Sequence, residues 1–290
     1  MNKSQNKSND LTKIFNMKGR VKSVSYTSFD ANPDQWSLWN PVKSGRAEKE
    51  SERERFDFEF DQRGNRLQLI EYKSDGGVHS KTTWAYNKIG TLSEQVRRVD
   101  GGGVHKTKYT YAKNGNLAEE THSISDEFHS RVTHEYDKSG NEVKEIYYKS
   151  VDDHTTYMYN HDTEGNIKEE FVIGPSGVTL GRYTYRWDES GRCIEETRYT
   201  EETRYTPEGD MQYQIAYSYD DYGNRVKEVE EREEEDEGWI QDTVTYKFEY
   251  DDRGNWITRV KFTEEPESDG SASYKTVATE VNERTHVYFD

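Results

Sequence analysis

Aromatic and apolar residues recur at every second position in short bursts, and the bursts themselves recur along the chain. Phe58 and Phe60, Tyr109 and Tyr111, Tyr217 and Tyr219, and Phe248 and Tyr250 are such pairs, each flanked by polar residues. A spacing of two with alternating polarity predicts a half-buried β-strand, because successive side chains of an extended chain point to opposite faces. Each pair stops four residues before a glycine. The eight glycines are Gly64, Gly90, Gly115, Gly140, Gly165, Gly191, Gly223 and Gly254, separated by 26, 25, 25, 25, 26, 32 and 31 residues. Aligned on them, the positions four and six residues earlier are each aromatic in seven units of eight, with His161 and His134 as the exceptions.

Around these glycines the sequence reads Asp/Asn-x-x-Gly-Asn in most units. An Asp side chain opens a tight turn by accepting backbone hydrogen bonds, and Gly supplies the positive φ that a Cβ would oppose. A second strand then leaves, as in Asn141 to Tyr148, and a second turn such as Asp75-Gly76-Gly77 closes the unit. The expected fold is all-β: an elongated repeat protein of about eight antiparallel β-hairpins in a twisted or coiled continuous sheet, since a lone hairpin is marginal in water. The aromatic columns are expected to form its core face. Three regions are expected: residues 1–13 as a flexible tail, 14–55 as an N-terminal cap containing the first strand, and 56–290 as the repeat domain.

The segments Tyr136 to Asn141 (YDKSGN), Tyr219 to Asn224 (YDDYGN) and Tyr250 to Asn255 (YDDRGN) resemble the Tyr-Asp repeat of the rearrangement-hotspot, or RHS/YD, family. The likeness runs from about Phe56 to Phe262. It departs at Ala112, His161, Thr91 and Arg192, which replace the usual Asp, Tyr and Asn. It implies a coiled β-sheet, which in large family members becomes a shell around a toxin, on secreted or cell-surface proteins. The sequence runs to Asp290 with no appended toxin domain, so toxin activity is not carried over, and the length is short for such a shell.

Composition sharpens the picture. Hydrophobic residues make up 30% against 33% charged, thin for a large aliphatic interior, while 22 Tyr, 10 Phe and 6 Trp supply the burial. The net charge of −17 disfavours a nucleic-acid backbone or an anionic membrane surface as partner. Much of the acidity is local: Glu228 to Glu237 holds eight acids and one arginine, and Glu264 to Asp269 holds four acids. No stretch reaches the roughly 20 apolar residues of a membrane helix, so membrane insertion is not expected. A cytoplasmic location follows if Met1 is the native start, and an exported or surface-attached one otherwise.

Candidate chemistry is sparse. The lone Cys193 excludes an internal disulfide and reads as a small hydrophobe. His79, His105, His129 and His154 fall ten or eleven residues before successive glycines, but equivalent positions two strands apart are separated by about 9.6 Å, too far to share an ion. No metal site, cofactor or catalytic residue is expected, and the chain is read as a non-enzyme. The leading expectation is a protein-binding repeat module, in its sharpest form an immunity-like neutraliser of a basic toxin domain. Its contact residues would be Glu233, Glu234, Glu235 and Asp236 on an acidic margin, with Trp36, Trp39 and Trp239. The alternative is a carbohydrate-binding or cell-surface module using the same tryptophans.

Overall fold

The computed structural model describes residues 17–30, 52–150, 152–199, 211–234, 238–266 and 274–289. The expected tail at 1–13, Trp36, Trp39, Glu235 and Asp236 lie outside them. The described residues form eighteen strands and no helix. They begin with β1 (Val21–Asp30), β2 (Glu52–Phe60), β3 (Arg66–Tyr72), β4 (Val78–Tyr86), β5 (Leu92–Val99) and β6 (Val104–Tyr111). Next come β7 (Leu117–Ile124), β8 (Glu127–Tyr136), β9 (Glu142–Tyr148), β10 (His154–His161), β11 (Ile167–Ile173) and β12 (Thr179–Trp187). The last are β13 (Cys193–Tyr199), β14 (Met211–Tyr219), β15 (Arg225–Glu234), β16 (Gly238–Tyr250), β17 (Trp256–Pro266) and β18 (Tyr274–Tyr288).

Every strand pairs antiparallel with the strands before and after it, and β18 returns to pair with β1 from Val21↔Tyr288 to Asp30↔Glu280. β1 also pairs with β2 from Ser23↔Glu59 to Phe29↔Glu52. The sheet is therefore a closed up-and-down barrel, which corrects the expected elongated, twisted or coiled continuous sheet. An open sheet presents two rows of unpaired N–H and C=O groups, and closure satisfies both. The seam strand β1 comes from the segment read as a cap, so that segment contributes to the wall.

Among the described residues, the extensive backbone contacts between strands all run between sheet neighbours. Eighteen strands at ~4.8 Å spacing give a circular wall at least about 27 Å across. Among the described residues, most fully buried hydrophobic side chains gather near the seam. Met17, Val21, Val24, Phe58, Phe60, Trp84 and Leu92 pack on one face of the wall, and Val260, Phe262, Ala278 and Val281 form a second cluster. Between residues 97 and 255 the sole fully buried hydrophobic side chain among the described residues is Val132. The aromatic columns are accordingly not a continuous core. Only Phe58, Phe60 and Trp84 of their members are fully buried, and the other rings are half-buried.

The two faces differ along strands such as β6 and β10. On β6, Tyr109 and Tyr111 are half-buried while Lys108 and Thr110 are exposed, and on β10, Tyr157 and Tyr159 are half-buried while Met158 and Asn160 are exposed. Side chains converge on the concave side of a closed wall and splay on the convex side. The tyrosine face is thus the lumen face. The outer face carries cross-strand ion pairs such as Lys144–Glu135 at 3.0 Å and Arg186–Glu195 at 2.8 Å.

Candidate functional site: a glutamate–tyrosine row on the lumen face

The row is built by the turns. In the β8–β9 turn the Asp137 N–H donates to the Asn141 carbonyl at 2.9 Å, and the Gly140 N–H donates to the Asp137 carbonyl at 3.1 Å. Asp137 Oδ1 accepts the N–H groups of Ser139 and Asn141 at 2.8 and 2.9 Å. These bonds, above all those from Asn141, hold the Asp137 carboxyl below its ordinary range. Gly140 sits at φ 85°, and the other seven turn glycines share that left-handed conformation.

The turn leaves a bulge, so pairing steps from Tyr136↔Glu142 to Glu135↔Lys144 and then His134↔Glu145. Through that one-residue offset, the positions two and five residues after the glycine share the lumen face with the aromatic columns. The position five after each glycine lies directly opposite the column six before it. From β6 to β15 it is always glutamate: Tyr109↔Glu120, His134↔Glu145, Tyr159↔Glu170, Tyr185↔Glu196 and Tyr217↔Glu228. Near the seam the same position holds Leu69 and Gln95, and in the last hairpin it holds Arg259.

Successive glutamates are two strands apart, about 9.6 Å laterally. The Tyr185 hydroxyl donates to Glu170 Oε2 at 3.1 Å and the Tyr213 hydroxyl to Glu196 Oε1 at 3.0 Å. Burial pushes the Glu145 and Glu170 carboxyls up, and neighbouring carboxylates add to the shift. Burial, followed by the charges of Glu145 and Glu170, raises the Tyr159 hydroxyl as well. At the row's ends Arg225 lies 3.2 Å from Glu228, and His122 lies 3.9 Å from Glu120. Glu145, Glu170 and Glu196 have no Lys or Arg within ion-pair distance among the described residues.

His134 is the odd member. Its side chain is 6% exposed, with Nδ1 2.5 Å from Glu142 Oε1 and 3.9 Å from Glu145 Oε2, and Nε2 3.6 Å from Glu120 Oε1. Burial disfavours the imidazolium, but Glu120, Glu142 and Glu145 outweigh it and hold the pKa at about 9. The arrangement is a cation held by three carboxylates.

The residues singled out in the sequence lie elsewhere. Glu228 to Glu234 belong to β15 and alternate between faces. Glu233 and Glu234 are exposed at its end, opposite Trp239 (49% exposed) and Gly238. Arg232 lies 3.1 Å from Glu234, 3.5 Å from Glu230 and also bonds Asp242, which offsets part of that charge. His79, His105 and His129 are exposed and join no cluster with His134. Cys193 is half-buried, and burial pushes its thiol up. A depression of about 400 Å³, lined in part by Asp220, Lys227, Tyr246 and Phe248, contains none of the row's glutamates.

No family model matches the chain, and no curated protein does. Among solved structures it is similar to a porin-like protein from Bacteroides uniformis, at 9% identity over 93% of this chain and 99% of that one, with a TM-score of 0.46. A porin-like protein from Bacteroides vulgatus is similar at 9% identity over 94% and 99%, with a TM-score of 0.31. The TcdB2-TccC3-Cdc42 structure is similar at 13% identity over 90% of this chain but 16% of that one, with a TM-score of 0.38. Likenesses at this level assign neither a family nor an activity.

Proposed function

We propose that the chain is a non-enzymatic binding barrel that captures a cationic partner, a basic polypeptide segment, on the glutamate–tyrosine row of its lumen face. The observation that carries this reading is the run Glu145, Glu170 and Glu196: three half-buried carboxylates in consecutive hairpins, opposite His134, Tyr159 and Tyr185, without a Lys or Arg counter-ion among the described residues, Glu145 alone having the His134 ring 3.9 Å away. Half-buried carboxylates spaced along one face favour an external cation, and tyrosine rings beside them add cation–π attraction for Lys or Arg. A basic toxin domain would be one partner of this chemistry.

The outer face supports an aqueous barrel. A lipid-facing barrel carries an apolar belt roughly 25 Å tall. Here the outward apolar residues Ile70, Val96, Ile146, Phe171, Val229 and Val260 make a single row, and the face around them holds Lys108, Glu135, Lys144, Arg182 and Glu169, the last two in an ion pair at 2.7 Å.

Binding of a Lys/Arg-rich peptide, measured by calorimetry at two salt concentrations, tests the reading. The triple variant Glu145→Gln/Glu170→Gln/Glu196→Gln should bind at least roughly tenfold more weakly, a loss of ~1.4 kcal/mol, and with a shallower salt dependence. Binding unchanged in that variant but abolished by Glu233→Lys/Glu234→Lys would move the site to the β15 end. A glycan ligand abolished by Trp239→Ala would replace the reading with carbohydrate recognition.

A further inference from the structure

The hairpin β8–β9 departs from its neighbours at His134 and Glu142, and shares only Glu145 with the carboxylates proposed for the basic partner. Of the eight units it alone combines histidine six residues before the turn glycine with glutamates two and five after it. The position two after the glycine is Leu117, Ile167, Cys193 or Arg225 in nearby units and Glu142 here. The turn bulge brings both glutamates to one imidazole, and donor atoms of His134, Glu142 and Glu145 all lie within 4.8 Å of one another.

We propose that His134 Nδ1, Glu142 and Glu145 form a site for one divalent transition-metal ion of the zinc type, with Glu120 orienting the imidazole from behind. One nitrogen and two carboxylate ligands suit Zn²⁺ and its first-row neighbours. Ligands at ~2.0–2.2 Å from an ion lie roughly 2.9–3.5 Å from one another. The observed Nδ1 separations of 2.5 and 3.9 Å bracket that range, so one glutamate withdraws and the other advances by less than an ångström.

The second observation is the other ring nitrogen. The His134 side chain is 6% exposed, yet its Nε2 has no hydrogen-bond partner among the described residues and points toward Glu120 at 3.6 Å. A carboxylate behind the non-ligating nitrogen is how metal-binding histidines are oriented. Three carboxylates around one imidazole also leave a surplus of negative charge that a dication balances. Binding displaces the proton shared between Nδ1 and Glu142.

The test uses the full chain, stripped with chelator and titrated with Zn²⁺ by calorimetry, and with Co²⁺ by visible absorption. One equivalent should bind, and the Co²⁺ spectrum should show the intense bands of a four- or five-coordinate ion. Glu142→Gln/Glu145→Gln, near-isosteric and with its fold checked by circular dichroism, should weaken Zn²⁺ at least a hundredfold, and His134→Ala should abolish the Co²⁺ bands. Glu120→Gln should weaken binding by roughly tenfold, while His129→Ala, on the exposed face, leaves it unchanged. Absence of stoichiometric uptake, or uptake that survives Glu142→Gln/Glu145→Gln, overturns the proposal and leaves the basic-partner reading untouched.

Discussion

Closure of the barrel can be tested by a single covalent bond. Ser25 on β1 and Thr285 on β18 are registered directly opposite one another, and both are exposed. Directly opposed antiparallel residues have Cα atoms about 4.5–5.5 Å apart, inside the range that a disulfide spans. In a Cys193→Ser background, Ser25→Cys/Thr285→Cys should therefore oxidise to an intramolecular disulfide. The two positions are 260 residues apart in sequence. Loop-closure entropy for a cross-link of that length gives an upper value of about 5.6 kcal/mol. Engineered bridges deliver less than the entropic value, so the expected gain is about 2–5 kcal/mol. Thiol counting and mobility on a non-reducing gel report the bond, and urea denaturation with and without reductant reports the gain. In an open sheet of eighteen strands the same residues would sit roughly 80 Å apart, seventeen steps of ~4.8 Å. Failure to oxidise, or cross-linking only between molecules, would refute the closed wall.

Packing and protonation supply two further predictions. Phe262 is 0% exposed and Phe128 is 62% exposed, so Phe262→Ala should cost about 3–5 kcal/mol by urea denaturation, whereas Phe128→Ala should stay within about 0.5 kcal/mol. The His286 side chain is 1% exposed with neither ring nitrogen hydrogen-bonded among the described residues. Burial, then the charge of Arg284, depresses its pKa below the ordinary 6.5 against the pull of Asp251. A depressed value means the fold favours the neutral ring. Its contribution is complete above pH 6.5 and is lost as pH falls toward the folded pKa. Thermal melts should show a decline in stability below pH 6.5 that His286→Gln flattens, and an unchanged acid limb in that variant would contradict the assignment. A second decline should follow at lower pH. Hydrogen bonds from Asn65 and Arg63 hold the Asp61 carboxyl below 3.8 despite the opposing effect of burial, so its contribution is present above 3.8 and disappears as the group protonates.

Much of the site's chemistry was legible in the sequence, though not where the acidity is densest. Glu120, Glu145, Glu170, Glu196 and Glu228 stand five residues after successive turn glycines, a column unbroken over five of the eight units. The bulge in each turn is what puts it opposite the aromatics, and a bulge shifts the alternation by one residue without marking the sequence. The run from Glu228 to Glu237 drew attention by charge density, but alternation within β15 sends Glu228 to Glu234 to both faces. His134 looked like a ring substitution in an aromatic column, and its three carboxylates come from β7 and β9.

What the sequence determined by itself is local: the two-residue alternation, the Asp and Gly turn chemistry, and the side chains that share a face within one strand. These follow from backbone sterics and hydrogen bonds within a few residues, and they leave strand content and face composition little freedom. Only the tertiary structure decided that β18 meets β1, that the tyrosine face is the concave one, and that His134 is enclosed by glutamate. Curvature accumulates from small twists over eighteen strands, and the seam joins residues at least 250 positions apart, so no short segment of chain carries that information.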